Sequence, residues 1–184
     1  MPRIASTTRI CWPTDASRVS RVAIIDIDVH HGNGTADIAA RRQKCRRELG
    51  LETDLLFIST HEHPLYPMTG AVDDPTCTGA VRNVILEPGT SSDAWRQVYE
   101  TSVLPCLADF APDLVIISAG FDAHRSDPLA NCGLKSEDFE WVTRELIQCS
   151  NGHAVSVLEG GYDIESLCES AVCHVQGLLQ GRPM

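Results

Sequence analysis

The chain has 184 residues, enough for one packed domain, and 43% of them are hydrophobic. Its 15 basic and 25 acidic side chains leave a formal charge of −10. That balance argues against nucleic acid as a partner and suits a cationic substrate. Apolar runs fall far short of the ~20 residues of a membrane span, so no membrane partner is expected.

Residues 1–20 read as an irregular segment ahead of a domain at 21–181. Met1–Arg21 carries four arginines and one acid, Asp15. This composition resembles an organelle transit peptide and equally an irregular lead-in. It holds no apolar h-region, and the eight cysteines form no Cys-x-x-Cys pair. Free thiols in a reducing intracellular compartment, cytoplasmic or nuclear, are therefore expected, with Cys106, Cys149, Cys168 and Cys173 acting as small hydrophobes in helical patterns.

From there the pattern alternates strand and helix. Val22–Asp28 is a continuous apolar run ending in acids, as in a buried parallel strand. Ala36–Leu49 reads as a helix with a basic cluster, closed by Gly50. Leu55–Ser59 is a second strand, and His61–Gly79 a loop rich in Pro, Gly, Thr and Asp. Val81–Leu86 is a third strand, followed by a helix from about Ser92 to Phe110. Asp113–Ser118 is a fourth strand, and a helix begins at Ser136 behind Glu137 and Asp138. His153–Leu158 is a fifth strand, and Gly160-Gly161 turns into a last helix, Ile164–Leu179. Helices between apolar strands predict an α/β fold with a parallel sheet.

In such sheets ligands bind beyond the carboxyl ends of the strands, and chemistry-bearing residues gather there: Asp26-x-Asp28-x-His30, Ser59-Thr60-His61, Asp122 and Gly160-Gly161-Tyr162. Alternate residues of an extended chain share a face about 6.8 Å apart. A curl at the strand end would bring two of the first trio to one metal, with Asp122 as the natural third donor. Carboxylate and imidazole are ordinary zinc donors, and three ligands with one open position describe a catalytic site. Asp122 also reads as a helix cap, and Asp26 as a buried acid held by backbone N–H groups. Gly160-Gly161-Tyr162 is either a plain strand-to-helix turn or a glycine-built approach that presents a phenol to a developing oxyanion.

Taken together, Asp26–Thr35 (DIDVHHGNGT), Ser118–Arg125 (SAGFDAHR), Asp127-Pro-Leu129 and Leu158–Tyr162 (LEGGY) closely resemble the zinc-dependent histone deacetylase superfamily, including the acetylpolyamine amidohydrolases. The resemblance runs from about Arg21 to Gly181. It implies a three-layer arginase/deacetylase-like α/β fold, here truncated to about five strands. It implies Asp28, His30 and Asp122 as zinc ligands, Tyr162 as the catalytic phenol, and Asp26 with Ser59 at a monovalent-cation site, usually potassium. Tyr66 then walls the acyl-lysine tunnel, and Gly160 and Gly161 let backbone approach the substrate. The implied reaction is hydrolysis of the amide of an acetylated lysine peptide or an acetylpolyamine.

Two departures stand out: the catalytic base, and the stretch from Ala36 to Asp54, which is longer and more basic than the family's usual connection to the next strand. The family's general base belongs to an upstream His-His pair, and no histidine precedes His30. The pair and the first strands of the sheet are thus expected to be absent, leaving an open sheet edge for a partner chain. The alternative is a catalytically inactive metal-binding or partner-binding remnant. An arginase-like dinuclear manganese site would need more bridging carboxylates and leaves Tyr162 without a role. A smaller departure is Met68, where many members carry glycine.

Overall fold

The computed structural model describes residues 19–181 apart from 75 and 78. Most of the expected irregular segment, and with it the transit-peptide resemblance, lies outside the described residues. Five strands form one parallel sheet in the order β3-β2-β1-β4-β5. They are β1 (Val22–Asp26), β2 (Leu55–Glu62), β3 (Val81–Leu86), β4 (Leu114–Ala119) and β5 (Ala154–Leu158). The first strand in sequence is thus the central one. Its last residue, Asp26, lies opposite Ser59 on one side and Ser118 on the other.

Helices cover both faces. On one, α1 (Asn33–Glu48) packs Ala36 and Ala39 on Phe57 and Val81. On the other lie α2 (Ser92–Val98), a π-helical stretch (Tyr99–Val103), α3 (Leu104–Phe110) and α4 (Ser136–Gln148), which set Trp95, Tyr99, Val103, Leu107, Phe139 and Val142 on Ile25, Ile27, Val115 and Ile117. Burying each large apolar side chain contributes roughly 1.5–3 kcal/mol. The last helix, α5 (Ile164–Gln180), packs on α4. Their close approach depends on Gly177, where a Cβ would stand 2.6 Å from the Glu140 carbonyl oxygen.

Beyond α1, which begins at Asn33, three residues ahead of the expected Ala36, three differences from expectation have a visible cause. β1 stops at Asp26 because acidic side chains replace the sheet as acceptors. Ile27 N still donates to Ser118 O, but Asp28 N turns onto Asp26 Oδ1 (3.1 Å), Val29 N onto Asp122 Oδ1 (2.8 Å) and His30 N onto Asp28 Oδ1 (2.8 Å). β2 runs on through His61 and Glu62, pairing to Ile85 and Leu86 of β3. Those polar residues hid the strand's end from a hydrophobicity pattern, yet both are buried. The expected helix Ser92–Phe110 is interrupted by the π-helical stretch just before Pro105, which has no N–H for the regular ladder. Cys168 is exposed rather than a packed hydrophobe. Gly50 does close α1, with φ +69.

Candidate active site

The curl after β1 and the loop after β4 converge. Asp28, His30 and Asp122 each offer one ligand atom, and these atoms lie within 4.8 Å of one another. His30 Nδ1 stands 3.1 Å from Asp28 Oδ1 and 2.9 Å from Asp122 Oδ2. Asp122 is fully buried, and its other oxygen accepts Val29 N. The same hydrogen bonds that end the strand therefore orient the donors.

Electrostatics follow from this crowding. Hydrogen bonds to Asp122 and then Asp28 carry His30 from 6.5 up to about 10. Burial pushes Asp28 up, but hydrogen bonds from the His30 side chain, His30 N and Gly160 N outweigh it and leave its carboxyl below the ordinary value. Burial dominates at Asp122, which stays above it. Asp26 rises well above it through burial and the charge of Asp28. Two carboxylates that favour positive charge beside this ring would favour a metal cation there as well. One imidazole nitrogen and two carboxylate oxygens make a donor set that fits zinc.

The loop after β5 closes over this group. Gly160 N donates to Asp28 Oδ2 (2.9 Å) and Gly160 O accepts Phe121 N (2.8 Å). A Cβ on Gly160 would meet Asp122 Oδ2 at 2.2 Å and Asp28 Oδ2 at 2.6 Å. Gly161 has φ +135, which a side chain rarely adopts. Gly160→Ala is therefore expected to displace both carboxylates and weaken metal binding at least about tenfold, as for loss of a group that orients ligands. Isothermal titration with zinc checks this, with circular dichroism showing the fold retained.

The remaining expected residues fall around the same point. Tyr162 follows the two glycines and is 55% exposed. Burial, then the charges of Asp122, Asp28 and Asp127, raise its phenol. Tyr66 is 74% exposed, its ring edge-on to His30 with centroids 6.3 Å apart. Asp26, the last residue of β1, and Ser59, three residues before the end of β2, are register partners, and both are buried. Met68 takes φ +64, the left-handed conformation that favours glycine.

Two neighbours carried no assigned role in the sequence. His61 is wedged between Ser59 Oγ (3.0 Å) and the Gly70 carbonyl (3.0 Å), so a neutral ring there buttresses Ser59. Burial lowers it to about 4. Tyr99 sits beside Thr60, whose hydroxyl donates to Asp26 O (3.1 Å). Tyr99 OH then donates to Thr60 Oγ1 (2.8 Å), which ties the helical layer to the strand end. No periodicity signals the Thr60–Tyr99 pair, whose members lie 39 positions apart and meet only where the helical layer packs on the sheet.

A parallel α/β sheet with an Asp/His/Asp group at its carboxyl end, beside a Gly-Gly-Tyr loop, defines a deacetylase-type hydrolase fold. The histone deacetylase domain model matches residues 11–178, and the chain belongs to the histone deacetylase family. It is 36% identical over 168 residues to the chloroplastic histone deacetylase 14 of Arabidopsis thaliana, spanning 88% of this chain and 37% of that one. The solved HDA15 HD domain superposes with a TM-score of 0.78 at 36% identity, covering 89% of this chain and 45% of that one. The acetylpolyamine aminohydrolase of Burkholderia pseudomallei gives 0.76 at 32% identity, with 91% and 47% covered. The chain thus spans less than half the length of each of these. Among the described residues, no helix is long and apolar enough to cross a membrane.

Proposed function

We propose that this chain is the metal-binding part of a zinc-dependent deacetylase that hydrolyses the amide of an acetylated lysine peptide or an acetylpolyamine. The observation that carries this is the convergence of Asp28, His30 and Asp122 within 4.8 Å, directly under the Gly160-Gly161-Tyr162 loop. Zinc held by those three side chains would polarise the acyl carbonyl and acidify a water. Tyr162 donates its phenolic hydrogen to the carbonyl oxygen as negative charge develops there. The raised phenol keeps that hydrogen in place at neutral pH. Tyr66 lines the approach beside His30, and the acidic chain attracts a cationic substrate. Asp26 and Ser59 would hold a monovalent cation, potassium by resemblance, whose charge would oppose the rise of the Asp26 carboxyl.

The general base and the covering of the sheet edge come from the same place, the portion of a deacetylase domain that the longer relatives possess and these residues do not match. Among the described residues β5 pairs only with β4, and Val157 and Leu158 are exposed at its end. Ile164, Val172, Val175 and Leu179 of α5 are exposed as well. Apolar residues on an edge strand call for a covering chain.

Elemental analysis and turnover of an acetyl-lysine peptide and an acetylpolyamine test this. One zinc per chain is expected, with turnover ~10²–10⁴-fold below that of a domain possessing its base. Absence of zinc would overturn the metal site. Vigorous turnover by the 184 residues alone would overturn the external base.

A further inference from the structure

Tyr162 is more than half exposed, so packing does little to aim it, and its orientation must come from its backbone. Gly161 before it is in a glycine-only conformation, and Asp163 after it is committed to α5, where its side chain accepts Ser166 N (2.9 Å). The backbone N–H of Tyr162 itself donates to Asp127 Oδ2 at 2.7 Å, across 35 positions of sequence. Asp127 is buried, and its Oδ1 accepts Leu129 N at 2.9 Å, a local turn that fixes the carboxylate. Its own N–H donates to His124 O (2.8 Å), tying it to the loop that carries Asp122. A local turn needs only one of the two oxygens. The other reaches the tyrosine loop as a charge-assisted acceptor, stronger than a neutral one.

We propose that Asp127 is a positioning residue that clamps the Tyr162 backbone to the ligand loop and so aims the phenol over the Asp28–His30–Asp122 group. This rests on the role given to Tyr162 above. Asp127 touches none of the three ligands, so it acts on the phenol and not on metal affinity.

The chain has three tyrosines, Tyr66, Tyr99 and Tyr162, so 3-fluorotyrosine labelling gives three fluorine resonances, assigned with Tyr162→Phe and Tyr66→Phe. In Asp127→Ala the Tyr162 resonance is expected to sharpen and move toward free fluorotyrosine, while that of buried Tyr99 stays in place. Asp127→Asn keeps one acceptor oxygen and should fall between. Zinc affinity should change less than the ~10–100-fold seen when a group orienting a ligand is lost. Where the wild type turns over substrate, kcat should fall about ten- to a hundred-fold with KM nearly unchanged. A Tyr162 resonance unmoved in both variants would overturn the proposal. So would equal movement of Tyr99, which marks a merely structural role. A wild type without turnover would count against the deacetylase function alone, since the fluorine spectra still decide what Asp127 holds.

Discussion

Asp122→Asn is expected to abolish zinc capture while the chain stays folded. Asp122 is the donor that joins two strands' worth of loop: one oxygen holds Val29 N and the other faces His30 Nδ1. Asparagine keeps the shape and can still accept Val29 N, so the curl after β1 should survive. It removes the negative charge, however, and presents an amide where a ligand oxygen is needed. The affinity loss should exceed the ~10–100-fold typical of groups that only orient a ligand. His30 should also fall from about 10 toward its ordinary range, because Asp122 is the largest contributor to its rise. Titration calorimetry with zinc and a histidine NMR titration of the same variant measure both effects. Wild-type affinity in a folded Asp122→Asn would remove Asp122 from the ligand set.

Acidification through the range from pH 6.5 to about 4 is expected to cost the fold about 3 kcal/mol through His174 alone. This ring is buried among α4, α5 and β5. Thr143 Oγ1 donates to Phe139 O (2.6 Å), so it must accept from His174 Nδ1–H (2.6 Å). His174 Nε2 therefore accepts the Ser156 hydroxyl (2.7 Å), which assigns a neutral tautomer. Burial lowers the ring from 6.5 to about 4. In that window the unfolded chain binds a proton that the folded chain refuses, so stability falls as pH falls and is complete above 6.5. Urea unfolding at pH 7 and pH 4.5, in wild type and His174→Gln, isolates the effect. The variant should lose less stability between the two conditions than the wild type, even if it starts lower. Equal losses would show that His174 titrates normally. His61, also lowered to about 4 by burial, adds a slope of the same sign that both proteins share.

How much of this was legible in the residues differs between elements for physical reasons. β3 stands where its apolar run puts it, and α4 starts at Ser136 as its early acids Glu137 and Asp138 indicate, because local pattern and tertiary structure agree there. β1 ends two residues before its apolar run predicts. Its acids look like strand from their position, and only the presence of Asp122 across the sheet shows that they capture backbone N–H groups and end the ladder. β2 runs three residues past its predicted end at Ser59, which the polar His61 and Glu62 conceal. Glu62 is buried nonetheless, satisfied by Asn131 N (2.9 Å) and Asn131 Nδ2 (2.6 Å), partners 69 positions away. The pattern from Ser92 to Phe110 predicts helix throughout, and of its π-helical stretch the sequence carries only the sign of Pro105.

The sequence by itself determined the fold class and, through the resemblance of its DIDVHHGNGT, SAGFDAHR and LEGGY runs, the family, and it singled out Asp28, His30, Asp122 and Tyr162 as candidates. Only the tertiary structure decided that three of them meet within 4.8 Å. It alone shows that Gly160 must lack a side chain to let them do so, and that Asp127 reaches Tyr162. The physical reason is one of range. Periodicity and composition record what each segment buries, whereas a hydrogen bond between residues 35 to 132 positions apart is set by which strands lie side by side.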